Sequence, residues 1–216
     1  MTLLERLSKN KGTLSSALSK RLARDVLAGD HQLLGEAVRL TTWRMEEPDF
    51  RHVRSGAAKI VEETAHARPE LVKGYLPVLM KALEVGEPQT RWMTIRTFGF
   101  CASLDPRTAR RALPFAERFV SGGSKLCLKS SADRYLGDIG ALSAKDAAVA
   151  FPILEKSIEN LVENEQDWIM EALLAMAHAL NEQQRGKAEA FAKTYRSASR
   201  KSTRLRAAQV LEAMKG

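Results

Sequence analysis

Aromatic residues are scarce in this chain: phenylalanine, tryptophan and tyrosine make up 6% of its 216 residues, and β-branched runs of the kind that read as strands are missing. A sheet-based core is therefore not expected. There are two cysteines, Cys101 and Cys127, 26 positions apart and without partners at metal-ligand spacing. That argues against a disulfide framework or a zinc module and points to a reducing cytosol. The four histidines, His31, His52, His66 and His178, fall in four different predicted helices or turns, and no two share an i, i+4 face. No apolar run approaches the roughly 18 residues of a membrane span. The start, Met1-Thr2-Leu3-Leu4-Glu5, lacks the apolar core of a signal peptide. Also missing are a glycine-rich phosphate loop, a His–Cys nucleophile pair and a serine-centred elbow. Ser121-Gly122-Gly123-Ser124 is a helix breaker rather than a phosphate cradle, since no strand precedes it. The expectation is a cytoplasmic protein with no membrane span, no metal and no cofactor.

What is present is alanine and leucine at helical spacing, within a hydrophobic content of 44% that is enough for a substantial core. The pattern predicts a short helix in residues 1–13 ending at a Gly12 turn. A helix starting at Thr13-Leu14-Ser15 follows, with Leu14, Leu18, Leu22 and Val26 on one face. Gly29 reads as its left-handed cap, and Asp30 as the N-cap of a helix running to about Met45. Glu46-Glu47-Pro48-Asp49 is a turn. Val53 to Ala65 is a helix whose Ser55-Gly56-Ala57-Ala58 stripe permits close approach of a neighbour.

Pro69 opens the next helix, with Leu76, Leu79, Met80 and Leu83, and Gly86-Glu87-Pro88 breaks it. A partner helix carrying Trp92, Ile95, Phe98 and Ala102 runs to Asp105-Pro106. The same layout follows with Ala109, Leu113, Ala116 and Phe119, then Leu128, Ala132, Leu136 and Ile139. Ser143 with Asp146 resembles a capping box ahead of Val149, Ile153, Leu154, Ile158 and Leu161. A helix from Asn164 to Leu180 and a final pair, Gln184 to about Arg196 and Ser199 to about Met214, complete the chain.

Two markers show one period. Pro77, Pro114 and Pro152, each inside a first helix, are 37 and 38 residues apart. A helix-interior proline costs about 3 kcal/mol and kinks the helix, so three in register are not accidental. Arg54, Arg91, Lys129, Asp167 and Arg206 fall near the start of each second helix, 37, 38, 38 and 39 residues apart.

With Leu71–Ala82 and Val53-Arg54-Ser55-Gly56-Ala57-Ala58 in this register, the chain resembles HEAT-repeat proteins of the armadillo-like α-solenoid class. The kinking proline of the first helix and the Val-Arg start of the second are that family's markers. The resemblance implies an all-α, right-handed α–α superhelix of about five helix pairs in a single domain, residues 1–216. A cap segment, 1–13, and a half unit, 14–29, precede repeats at 30–67, 68–104, 105–142, 143–181 and 182–216. A helix pair cannot bury its apolar face alone, so pairs stack. First helices would line the convex face and second helices the concave, binding face. Leu40 stands where the first full repeat would have its proline, and Asp167 stands where the fourth would have its basic residue. The family's turn aspartate is clear only as Asp49.

The formal charge of +8 is concentrated at the end: Gln184 to Gly216 holds nine lysines and arginines against two glutamates, and residues 1–30 contribute +3. Arg54, Arg91, Lys129, Arg96 and Arg134, extended by Arg200, Lys201, Arg204 and Arg206, would make a concave ladder that neutralises phosphates without reading bases. The other reading of Arg54 and Arg91 is structural: a hydrogen bond to neighbouring turns that stabilises stacking. Trp92 and Trp168 are core or groove-lining aromatics.

The chain also resembles, more faintly, the DNA alkylation repair glycosylases, at Ser202-Thr203-Arg204-Leu205-Arg206-Ala207-Ala208 and Thr90-Arg91-Trp92-Met93-Thr94-Ile95. In that family a tryptophan is followed by a catalytic aspartate, whereas Trp92 is followed by Met93. Asp167 precedes Trp168, and Asp133 and Asp138 are further carboxylates on a second helix, so no catalytic residue is assigned. The acidic middle, Glu155, Glu159, Glu163, Glu165 and Glu171, is compatible with a protein partner. The expected function is a non-catalytic scaffold binding a macromolecule, protein or nucleic acid, on its concave face. The alternative is a DNA-binding relative of the glycosylases with an incomplete catalytic motif.

Overall fold

The computed structural model describes residues 1–10, 17–123, 125–162 and 164–215, and every regular element among them is helical. Gly12, Leu14, Ser124 and Glu163, which figure in the readings above, lie outside the described residues. None of the helices described is long and apolar enough to cross a membrane.

The helices gather into two compact units, Met1–Thr108 and Ala109–Gly216. The first holds α1 (Leu3–Lys9), α2 (Ala17–Leu27), α3 (His31–Leu40), α4 (Arg51–Ala67), α5 (Pro69–Val72), α6 (Leu76–Leu79) and α7 (Pro88–Phe100). After α8 (Pro106–Arg110), the second holds α9 (Leu113–Ser121), α10 (Leu126–Gly140), α11 (Ala144–Glu159), α12 (Gln166–Met176), α13 (Glu182–Thr194) and α14 (Lys201–Ala213). In the first unit the second helices α2, α4 and α7 pack in succession; in the second, α10, α12 and α14 do the same. First helices α9, α11 and α13 lie against their partners, and the apolar faces meet between the layers, with Leu22, Val53, Ile60, Leu76, Phe98, Leu136, Phe151 and Ile169 buried.

Local chemistry sets the helix ends. Thr2 and Glu5 form a reciprocal capping box on α1, and Asn181 with Gln184 does so on α13. Gly29 has φ 121°, a backbone state in which a Cβ would be strained, and Asp30 caps α3 through Leu33 N at 3.1 Å, as the sequence predicts. Asp105 caps the helix after it through Thr108 N at 3.1 Å.

Other elements depart from the prediction. Helix α3 stops at Leu40 rather than near Met45: Arg44 takes φ 43°, and the carbonyls of Trp43, Arg44 and Glu47 turn to the Arg54 guanidinium instead of continuing the helix. Ser143 caps α11 through Asp146 N, but the Asp146 carboxylate is held by Arg110 at 2.6 and 2.9 Å, so no reciprocal box closes. Val149 is exposed on α11, and Leu161 is exposed beyond its end.

The three in-register prolines have two outcomes. Pro77 and Pro114 sit in the first turn of α6 and α9, where the missing N–H needs no partner, so the first helix is broken into segments. Pro152 lies inside the continuous α11.

Glycines allow the second helices to close on their neighbours. A Cβ on Gly137 would meet the Ala172 Cα at 2.6 Å, so α10 and α12 touch backbone to backbone. At Gly56, in the predicted small-residue stripe, the Leu7 side chain fills the space, and Ser19 donates to the Gly56 carbonyl at 2.9 Å. Gly137→Ala is expected to cost about 1–3 kcal/mol in urea unfolding, because the obstruction is main chain and α10 must move off α12. Gly74→Ala, with open space around it, should change stability by less than about 1 kcal/mol.

Candidate functional site

The basic register of the second helices proves to be partly internal. Arg54, the fourth residue of α4, is buried. Its Nε and Nη2 each donate at 2.9 Å to the two oxygens of Glu87, the N-cap residue of α7. Its Nη1 serves the carbonyls of Trp43, Arg44 and Glu47 at 2.8–3.1 Å. Thr90 adds a hydroxyl to Glu87 at 2.6 Å. A planar guanidinium with five donors suits this task, which an ammonium could not perform. The stacking reading of Arg54 is thereby met, with an acid partner other than the turn residue Asp49, which is exposed.

Lys129, the fourth residue of α10, repeats the arrangement in the second unit. Its buried ammonium lies 3.0 Å from Glu165, the N-cap residue of α12, and donates to the Asn160 carbonyl at 2.5 Å. Glu165 also accepts from Ser157 at 3.0 Å and from Val162 N at 2.8 Å. Beside this pair sits Asp133, fully enclosed, with neither oxygen hydrogen-bonded. Burial, and then the neighbouring Glu165 charge, push its carboxyl well above the ordinary aspartate value, against the opposing pull of Ser157 and Lys129. One ammonium faces two carboxyl groups, and Asp133 is the one whose proton is held more tightly. Asp133 is thus a core group out of reach of any substrate.

The remaining candidates lie on or near the surface, except Arg96. In the first unit the Lys59 ammonium stands 5.7 Å from the ring centre of the half-buried Trp92 and is held by Glu62 and Glu63 at 2.7 and 2.9 Å. Arg96 is buried with its guanidinium 4.4 Å over Phe100, whose ring also meets His66 at 4.8 Å. Arg91 reaches the Gly86 carbonyl at 3.4 Å. In the second unit Arg134 lies 5.2 Å from the Trp168 centroid and 3.4 Å from Glu171. Both tryptophans therefore carry a cation supplied by the preceding second helix.

Helices α12 and α14 flank a cleft of about 360 Å³ lined by Leu126, Asp167, Trp168, Arg200, Ser202 and Arg206, with Asn164 at its edge. Arg206 grips Glu171 through Nε and Nη2 at 3.1 and 2.6 Å and reaches Asp167 at 3.4 Å. Arg200 is exposed, bonded to Asn164 at 2.7 Å and 3.9 Å from Asp167. Arg204 is exposed and donates to the Ala198 and Ser199 carbonyls, and Lys201 is exposed. Asp167 is buried: Ser202 and Arg206 reach its Oδ2, whereas Oδ1 has no hydrogen-bond partner.

The structure thus brings Arg200 and Arg206 to Asp167 and Arg134 to Trp168 and Glu171, and it encloses Arg54, Arg96 and Lys129. The acidic middle is not one face: Glu155 pairs with Lys187, Glu165 with Lys129, and Glu171 with Arg134 and Arg206. Glu87 and Glu165 escape a reading of sequence alone, since their partners are 33 and 36 residues away. The available signal is a glutamate immediately ahead of a second helix when the preceding second helix has a cation at its fourth position. Ahead of α10 that place holds Lys125, so the pattern is not continuous. Cys101 is buried with its thiol pushed up to about 12 by burial, whereas Cys127 is exposed.

No protein-family model matches the sequence, and no curated protein matches it. Solved structures resemble it in fold. An engineered protein from the Northeast Structural Genomics Consortium superposes with a TM-score of 0.71 at 18% identity over 100% of this chain and 99% of its own. A designed armadillo repeat protein in complex with the peptide (KR)4 gives 0.67 at 14% identity over 99% and 100%. A second designed armadillo repeat protein gives 0.64 at 15% over 98% of each chain. The fold is an all-α helical repeat of the armadillo type.

Two predictions follow from the buried groups. Lys129→Met leaves Glu165 uncompensated in the core and is expected to lose about 3–5 kcal/mol in urea unfolding at neutral pH. Folded Asp133 keeps its proton to a higher pH than the unfolded chain. Its contribution to stability is therefore greatest below the ordinary value of 3.8 and falls as pH rises through the interval up to its raised value. Asp133→Asn, which cannot ionise, should flatten that decline in urea midpoints measured from acid to alkaline pH. An unchanged slope would place the proton elsewhere.

Proposed function

We propose that the chain is a non-catalytic repeat scaffold that holds a protein or peptide segment along the exposed faces of its second helices. In the armadillo-type arrangement those faces would form the concave surface. The observation that carries this reading is the recurrence in both units of a half-buried tryptophan stacked by a cation from the preceding second helix, with carboxylates interspersed: Lys59, Trp92, Glu62 and Glu63 in one, Arg134, Trp168 and Glu171 in the other. Rigid aromatics among paired charges suit an extended peptide, whose apolar side chains and main-chain amides can use both. The likeness to designed armadillo repeat proteins, one solved with a peptide, supports the same reading. A free buried thiol and an exposed one suit a reducing cytoplasm.

The second reading is a nucleic-acid partner, favoured by the +7 charge of residues 184–216 and the exposure of Arg200, Lys201 and Arg204. It would place phosphates where Asp167 and Glu171 also lie, and it has fewer accessible cations than the nine-residue ladder requires. The DNA glycosylase alternative keeps Asp167 and the half-buried Asp138 as its carboxylates.

Immobilised peptides of graded charge and a fluorescent DNA duplex separate the readings when both are titrated at low and physiological salt. The scaffold reading expects peptide binding that persists at physiological salt and weakens by about 2 kcal/mol in Trp168→Ala, the scale of an interface hot spot. Duplex binding alone, falling steeply with salt, would replace it with the nucleic-acid reading.

A further inference from the structure

We infer that the cleft flanked by α12 and α14 is an anchor site for an acidic peptide segment with one apolar side chain. That side chain enters against Trp168 and Leu126, a peptide N–H donates to Asp167 Oδ1, and flanking carboxylates meet Arg200 and Lys201. The inference rests on the scaffold reading and names the chemical class of its partner.

Four observations converge on this occupant. First, Asp167 lines the cleft of about 360 Å³ and is enclosed; its Oδ2 is used and its Oδ1 has no hydrogen-bond partner. A buried acceptor in that state calls for an N–H or O–H from outside, so the group reaching the floor is a donor and not an anion. Second, the walls around it are the indole of Trp168 and the side chain of Leu126, which favour an apolar group beside that donor. Third, the cleft has an exposed cation in Arg200, which bonds the neutral Asn164 at 2.7 Å, and the exposed Lys201 follows it in the segment from Gln184 to Gly216 that carries nine cations against two glutamates. Anionic groups are therefore accepted at the edge, one residue or so from the donor. An extended peptide offers these three features at that spacing: a main-chain amide, an apolar side chain and neighbouring Asp or Glu.

Fourth, the guanidinium groups that a phosphate backbone would need are already committed. Arg206 donates twice to one oxygen of Glu171, Arg134 stacks on Trp168 beside the same glutamate, and Arg204 serves two carbonyls. The charge is opposite to what the basic (KR)4 peptide of the designed armadillo protein would require, so an acidic partner is the complement here.

The test uses the full chain and fluorescent peptides of Glu and Asp around a single central leucine, read by anisotropy. Controls are the leucine-to-alanine peptide, a lysine counterpart, a series methylated at successive backbone nitrogens, and duplex DNA. Binding of the acidic peptide is expected to fall at least tenfold in the double variant R200E and K201E. Both changes are at exposed positions, and equal urea midpoints would confirm an intact fold. A similar loss is expected on removal of the leucine or on methylation of one particular amide, and Asp167→Ala should abolish the sensitivity to that methylation. Peptide binding that ignores R200E/K201E and the methyl series but is lost in Trp92→Ala would overturn the cleft assignment and leave the scaffold reading standing. Equal binding of acidic and lysine peptides would overturn the partner class. Binding of duplex DNA with no peptide bound would remove both readings.

Discussion

A buried cation held by the glutamate that opens the next second helix is the constraint on which the packing of these repeats depends. In the first unit Arg54 joins α4 to Glu87 at the head of α7 and, through Nη1, fixes the turn that follows α3. In the second, Lys129 joins α10 to Glu165 at the head of α12. Each cation is removed from water, which is tolerable because all three Arg54 nitrogens and the Lys129 ammonium meet oxygens. Two consequences follow. The helices are set in register by a directional contact as well as by apolar burial, and the cations concerned are withdrawn from any ligand.

The lysine version is less complete than the arginine one. An ammonium has three donors against five for a guanidinium, and no fork to match a carboxylate. Around Lys129 the remaining partners are a helix-end carbonyl and Glu165, itself bonded to Ser157, with Asp133 nearby holding its proton to a higher pH than an ordinary aspartate. Gly137, one turn beyond Asp133, lets α10 and α12 approach to backbone contact, and Lys129, Asp133 and Glu165 are all buried.

Much of the repeat architecture is legible in the sequence because its causes are local. Gly29 and Asp30 dictate one turn, Asp105 another, and the apolar spacing of Leu76, Leu79 and Leu83 defines a buried face whether or not the helix is continuous. The alternative outcomes at Pro77, Pro114 and Pro152 are not local: each proline removes the same donor, and the surrounding packing decides between a break and a continuous helix. The roles of the charged residues are still less accessible. Arg54 and Arg200 look alike in the sequence, yet one is enclosed by Glu87 and three carbonyls while the other reaches solvent, because the side chains that pair with them lie more than thirty residues away. Glu171 likewise reads as part of an acidic run and becomes the shared partner of Arg134 and Arg206. The site around Asp167 emerges only when α12 and α14 are side by side.

The most direct test of the central claim is a double-mutant cycle on Arg54 and Glu87, using Arg54→Met, Glu87→Leu and the pair, followed by equilibrium urea unfolding. An interaction across successive second helices predicts a coupling energy of about 2–3 kcal/mol, with the double variant still short of the parent because three carbonyls have lost their donor. Additivity to within about 0.5 kcal/mol would show that the two side chains act independently and that apolar burial alone sets the stacking.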